Sequence, residues 1–143
     1  MFDKICVVCI GNICRSPIGE RLLANAFPNK TITSAGISAM VNQPAYAKSV
    51  QVANEHGLSL EGHCATQLTR SKCMNQDLIL VMEKSHIEAV CQICPEVRGK
   101  VMLYGHWLNN AEIADPYGKD IGMFERTYEL LNKAAMQWIN KLK

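Results

Sequence analysis

Residues 4–17, Lys-Ile-Cys-Val-Val-Cys-Ile-Gly-Asn-Ile-Cys-Arg-Ser-Pro, run from a short apolar strand through a seven-residue loop, Cys9 to Arg15, into a helix start. A strand that enters a helix through so tight a loop is the opening unit of a parallel α/β sheet. Gly11 and Asn12 both tolerate positive φ, so the loop can curl until successive N–H groups face one centre and form an anion nest. Ser16 suits a helix N-cap and Pro17 the first helical position. A helix starting there aims its free N–H groups and positive dipole end at the same centre. Ile18, Leu22, Leu23 and Ala26 follow at helical spacing, and Pro28 ends the run.

Spacing alone does not carry this reading. Seven Cys and five Arg in 143 residues give roughly 0.2 chance pairs six apart. A second pair does occur, in Cys64-Ala-Thr-Gln-Leu-Thr-Arg70-Ser71. It follows no strand and holds no Gly or Asn to turn the backbone, so it reads as coincidence.

Strand-like runs at 5–8, 31–34, 78–82 and 101–104 alternate with helical runs at 17–27, 45–56, 84–94 and 123–142. That alternation predicts a single α/β domain over 1–143, an open four-stranded parallel sheet flanked by helices on both faces. Gly57 stands where the second helix should stop, and Pro95 follows the third. The last helix presents Phe124, Tyr128, Leu131, Ala135, Trp138 and Leu142 on one face. Ligands of such a sheet collect at the carboxyl ends of its strands, and Cys9 lies at one.

Composition narrows the function classes. At 48% hydrophobic the chain has enough apolar matter for one core, and its +2 net charge is too slight to point to nucleic acid or a membrane surface as partner. The apolar run Ile5–Ile10 is too short to span a bilayer and has no basic flank. A cytoplasmic protein with reduced thiols and no membrane insertion is expected. Cys91-Gln-Ile-Cys94 has redox or zinc spacing, but no second pair matches it, and no metal or other cofactor is expected.

Cys9 must be a thiolate to attack phosphorus, and the N–H nest, the helix N-terminus and Arg15 all favour the anion. The planar Arg15 fork matches two equatorial phosphate oxygens. A carboxyl must protonate the leaving group and then activate water, and Asp115 lies in the loop-like stretch 109–122. By its chemistry alone Asp115 is one of thirteen acidic candidates and reads as a turn residue.

Val8 to Pro17 together with Asp115-Pro116-Tyr117 resembles the low-molecular-weight protein tyrosine phosphatases, over nearly the whole chain. Ser34-Ala-Gly36, Leu60–His63, Leu80–Glu83 and Arg98–Trp107 are similar to the bacterial branch associated with tyrosine autokinases of exopolysaccharide export. The resemblance implies a phosphocysteine mechanism with Cys9 as nucleophile, Arg15 as phosphate ligand and Asp115 as general acid. It implies phosphate contacts from the loop residues Ile10, Gly11, Asn12, Ile13, Cys14 and Ser16, the last also donating to the thiolate. Tyr117 becomes one wall for an aromatic ring, and Met40, for which core packing is the plainer expectation, a second. Asn12, Ser34 and His63 match positions that brace the loop. Ala114 departs from the Pro often found there in the branch. The implied partner is a phosphotyrosine protein, such as a tyrosine autokinase.

Two other readings stay open at this stage. A thiol-dependent arsenate reductase shares the anion loop, but the stretch Leu80–Glu83 lacks the cysteine that such enzymes place near there. A non-catalytic phosphopeptide-binding module has no use for a nucleophile. Cys14 lies on the same loop as Cys9, where it can serve as a resolving thiol; Cys6 sits within the first strand and reads as packing.

The choice of loop is directly testable. Cys9→Ser should abolish aryl phosphate turnover while keeping oxyanion binding, and Cys64→Ser should leave turnover intact. An inactive Cys64 variant would overturn the assignment.

Overall fold

In the computed structural model, residues 2–143 are described. Four strands, β1 (Lys4–Cys9), β2 (Thr31–Gly36), β3 (Leu78–Val81) and β4 (Val101–Leu103), form one sheet in the order β2-β1-β3-β4, all parallel. Helices α1 (Arg15–Ala26), α2 (Ala47–Glu55) and α5 (Ile121–Leu142) pack on one face. The short α3 (Arg70–Met74), α4 (Lys84–Ile93) and a 3-10 turn (Pro95–Lys100) lie on the other. The chain leaves β1 toward β2 on one side and returns to β3 on the other, which puts the topological switch at the carboxyl end of β1.

The expected architecture and all four long helices are present. α3 and the 3-10 turn were not legible, because five- and six-residue helical pieces carry too few turns for a periodicity. Gly57 follows the end of α2 with φ +77°, and the apolar face of α5 is buried from Phe124 to Trp138.

Two expectations about the start of α1 are corrected. The helix begins at Arg15, so the capping position falls on Cys14, whose side chain makes no cap bond, and Ser16 is already inside the first turn. Pro17 is therefore third in the helix, where its missing N–H is still one that has no intrahelical partner. The Ser16 hydroxyl is thereby released from capping.

Three contacts clamp the ends of the sheet to α1 and α5. The buried Tyr104 hydroxyl donates to the Gly19 carbonyl at 2.9 Å, and Trp138 Nε1 donates to the Tyr104 carbonyl at 2.8 Å. A Cβ on Gly19 would stand 3.0 Å from both the Tyr104 ring and Val7 Cγ1, so glycine lets α1 press onto β1. Burial pushes the Tyr104 phenol well above its ordinary range and keeps it a donor.

Gly36, at the end of β2, bears most directly on the site. A Cβ there would sit 2.5 Å from the Ile10 carbonyl oxygen and 3.0 Å from Ala39 Cα, both backbone. Gly36→Ala should lower stability by about 1–3 kcal/mol, the usual cost of overpacking, seen as a lower urea midpoint at unchanged slope. Turnover should fall with it, since the displaced carbonyl belongs to the anion loop. An unchanged midpoint would show that the loop yields freely.

Candidate active site

The six carbonyls from Cys9 to Cys14 all turn outward. Cys9 O accepts from Ile37 N at 2.9 Å, Ile10 O from Ser38 N at 2.9 Å, Gly11 O from Met40 N at 3.0 Å and Ile13 O from Tyr46 N at 2.8 Å. Asn12 O accepts from His63 Nε2 at 2.6 Å and Cys14 O from Ser49 Oγ at 3.3 Å. Each planar peptide carries its N–H opposite its carbonyl, so outward carbonyls leave a ring of inward N–H groups. Because a carbonyl only accepts, His63 holds its proton on Nε2.

Asn12 makes the turn. Its φ is +59°, while Gly11 does not use the left-handed region. Of the two residues that tolerate positive φ, Asn12 is the one that uses it. A Cβ on Gly11 would meet Ile13 and Met40 at 3.6 and 3.7 Å, which are ordinary contacts.

The Asn12 side chain is the hub of a directed network. Its Oδ1 accepts from Thr66 N at 2.9 Å, which fixes the amide orientation. Its Nδ2 donates to Ser16 Oγ at 2.7 Å and to Ser34 Oγ at 3.0 Å. The Ser34 hydroxyl spends its own proton on Glu20 Oε1 at 2.7 Å. Ser16, accepting from Asn12, keeps its proton free for Cys9 Sγ at 3.0 Å. The structure therefore brings Asn12, Ser34 and His63 together behind the loop, and Ser16 against the thiol.

Arg15 is 1% exposed, deep for a guanidinium. Nη1 donates to Glu83 Oε2 at 2.6 Å and to the Ile113 carbonyl at 2.7 Å, and Nη2 lies 3.8 Å from Asp115 Oδ2. Its Nε is buried and has no partner among the described residues, a donor suited to an anion in the ring.

Cys9, Ile10, Gly11, Ile13, Cys14, Arg15, Ser38, Met40, Asp115 and Tyr117 line one cleft, with Cys9 and Arg15 buried and Asp115 half exposed. Asp115 Oδ1 accepts from Tyr117 N at 3.0 Å, a side-chain turn that folds the loop back on itself. The exposed Tyr117 ring leans on Tyr46 at 5.0 Å, and Tyr46 stacks on Phe124 at 5.6 Å. Met40 is exposed at the rim rather than packed in the core. The remaining loop thiol, Cys14, is raised to about 12 by burial, with Asp115 and Cys9 adding to it. It is a poor thiolate at neutral pH and so a slow partner for an oxidised Cys9.

The pair Cys64 and Arg70 does not form a second site: Cys64 is exposed, and Arg70 pairs with Glu96 on the surface. Cys91 and Cys94 are buried across the sheet from Cys9. Among the described residues no group of three or more His, Cys, Asp or Glu side chains is placed to hold a metal ion.

Sequence reasoning missed Glu83, Glu20, Ser38, Tyr46 and Thr66. Glu83 had a usable signal, since it lies two residues past the end of β3, on the edge where ligands of parallel sheets collect. The others enter only through contacts between distant segments.

The sequence profile of the family described as low molecular weight phosphotyrosine protein phosphatase matches residues 4–143. The chain is 58% identical over 142 residues to the probable low molecular weight protein-tyrosine-phosphatase AmsI of Erwinia amylovora, covering 99% of each. Among solved structures it is similar to the tyrosine phosphatase Wzb from Escherichia coli K30 in complex with sulphate, with TM-score 0.98, 50% identity and full coverage of both chains. Vibrio vulnificus Wzb in complex with benzylphosphonate gives TM-score 0.96 at 49% identity, with 99% of each chain covered.

The two loop thiols should separate chemically. A short iodoacetamide pulse at neutral pH should alkylate Cys9, with inorganic phosphate protecting it, and should spare Cys14 until the protein is unfolded. Peptide mapping reads the outcome, and native labelling of Cys14 would contradict its burial as a protonated thiol.

Proposed function

The chain belongs to the low molecular weight phosphotyrosine protein phosphatases and is an enzyme of that class, and from this we propose that it hydrolyses phosphotyrosine in proteins through a phosphocysteine intermediate, with Cys9, Arg15 and Asp115 as the catalytic residues. One observation carries the reading: the Cys9 thiol stands at the floor of a ring of inward N–H groups, 3.0 Å from a hydroxyl whose proton is free to meet it. Removal of a proton from Sγ gives the nucleophile, and the ring and Arg15 receive the oxyanion. The sulphate and benzylphosphonate complexes of the Wzb proteins are consistent with such a ring.

In the first step Sγ forms a bond to phosphorus as the bond to the tyrosyl oxygen breaks, and protonated Asp115 gives its proton to that oxygen. In the second, the Asp115 carboxylate takes a proton from water, the hydroxide attacks phosphorus, and the S–P bond breaks to return the thiolate and release phosphate. At each transition state the three equatorial oxygens spread into a trigonal arrangement, which the Arg15 fork and the N–H ring bind more strongly than the ground state. Ile10, Gly11, Asn12, Ile13, Cys14 and Ser16 supply that ring. Tyr117 and Met40 wall the aromatic ring of the substrate.

This reading is favoured over arsenate reduction because the other thiol on the loop, Cys14, is buried and raised to about 12, a poor carrier of oxidation. Met82 fills the end of the third strand, and Cys91 and Cys94 lie on the opposite face. A binding module would leave both the nucleophile and the carboxylate idle. No helix among the described residues is long and apolar enough to cross a membrane. We place the protein in the cytoplasm, acting on a tyrosine autokinase of exopolysaccharide export; the stretches 34–36, 60–63, 80–83 and 98–107 support that partner.

A general acid matters in proportion to the basicity of the expelled oxygen. Asp115→Asn should slow cleavage of phosphotyrosine, whose phenolate has pKa about 10, more than that of nitrophenyl phosphate, an activated ester. Glu112→Gln is the control on the same segment. Equal slowing of the two substrates would move the proton donor elsewhere. Arg15→Lys keeps charge but loses the fork, and should cost on the order of a hundredfold in kcat, about 3 kcal/mol. A rate within twofold of wild type would remove Arg15 from the phosphate.

A further inference from the structure

Glu83 precedes the first turn of α4, and its carboxylate is held by more than Arg15. The His86 main-chain N–H bonds to the Glu83 side chain, while the His86 ring accepts from the Glu83 main-chain N–H, closing a capping box. The imidazole is 3% exposed. Its Nδ1 lies 3.3 Å from Glu83 N, and its Nε2 lies 3.5 Å from Glu83 Oε2. That oxygen is the one to which Arg15 Nη1 donates at 2.6 Å.

These contacts fix the proton. A main-chain N–H only donates, so Nδ1 is the acceptor and the ring carries its hydrogen on Nε2. The Nε2–H then lies beside the carboxylate, in a polar contact 3.5 Å from Oε2. Glu83 is thus approached by the guanidinium, a main-chain N–H and an imidazole N–H at once.

We propose that His86, as the neutral Nε2–H tautomer, is a positioning residue for Arg15: it orients the Glu83 carboxylate, and Glu83 holds the guanidinium toward the anion ring. The proposal rests on the reading of Arg15 as the oxyanion ligand. A long side chain with several rotatable bonds keeps its fork in register only if its anchor is itself fixed. Of the charged groups facing the ring, Arg15 disfavours a second cation while Glu83, Asp115 and Glu112 favour one; burial joins Arg15 and prevails, so the ring binds its second proton less readily than an ordinary histidine. A protonated ring would point an N–H at the Glu83 main-chain N–H and set a positive charge near Arg15.

A histidine that merely capped α4 would affect stability and leave catalysis alone. The two roles separate in a double-mutant cycle on the full-length protein. Glutamine at this helix position can accept from the capping N–H and donate to the carboxylate. His86→Gln should therefore keep kcat on phosphotyrosine peptide within about twofold of wild type, while His86→Leu should lower it on the order of tenfold and weaken inhibition by inorganic phosphate. In a Glu83→Gln background, His86→Leu should have no further effect on kcat, because His86 acts through Glu83. Wild-type kcat in His86→Leu, or losses that multiply with those of Glu83→Gln, would overturn the proposal. Should the leucine variant not fold, nitrogen-15 NMR of the wild-type imidazole decides: a pyrrole-like Nε2 and pyridine-like Nδ1 support it, and the reverse tautomer overturns it. Turnover surviving in Cys9→Ser would overturn the phosphatase chemistry itself, and with it the premise.

Discussion

The site depends on one backbone constraint: six consecutive carbonyls, Cys9 to Cys14, are each drawn outward by a donor from elsewhere in the chain. A loop with its carbonyls so occupied has its N–H groups turned inward, and that ring is what an oxyanion needs. All six donors come from the one crossover that leads from β2 toward β3. Ile37, Ser38 and Met40 extend from β2, and Tyr46 and Ser49 belong to the approach and first turn of α2. The placement of β2 beside β1 therefore does more than leave Cys9 at a strand end, since it brings the donors that follow β2 against the loop. The left-handed turn at Asn12 closes the ring, and the Asn12 amide fastens it to Ser16, Ser34 and Thr66.

A buried guanidinium is the second constraint. Removing Arg15 from water is costly unless its donors are met, and Glu83 and the Ile113 carbonyl meet the Nη1 end. The carboxylate that neutralises Arg15 sits behind it, so the face toward Cys9 stays available for phosphate. Asp115, 3.8 Å from Nη2 and half exposed, remains at the mouth of the cleft, where a proton donor for a departing phenolate must be. Tyr117, Tyr46 and Phe124 form an aromatic stack that ties this loop to α5.

Much of this was legible in the sequence, for physical reasons that differ by residue. Cys9 and Arg15 were found because loop, punctuation and helix start are contiguous, and the parallel sheet because its periodicities alternate along the whole chain. Asp115 could be selected only through its resemblance to a known acid loop, since nothing local distinguishes it from other turn carboxylates. Of the two roles expected for Ser16, the one implied by the resemblance holds and the helix cap does not: the helix starts at Arg15, two residues before Pro17, and the hydroxyl serves the thiol instead of the helix end. Met40 carried no periodic signal, and its place at the rim follows from its bond to the Gly11 carbonyl. Glu20 and Thr66 were not legible as site residues because their partners Ser34 and Asn12 lie 14 and 54 positions away in sequence, and Glu83, 68 positions from Arg15, offered only its place just past a strand end.

The central claim is that phosphorus passes through the Cys9 sulfur. Acid-quenching the enzyme during turnover of nitrophenyl phosphate, whose activated leaving group departs with little help from an acid, with an Asp115→Ala variant to slow the second step, should trap one phosphoryl group on the peptide that contains Cys9. Phosphorus NMR of that peptide should show an S–P ester. A phosphoryl group on any other residue, or turnover in the presence of oxygen-18 water with no phosphorylated peptide and direct attack of water on the ester, would contradict it.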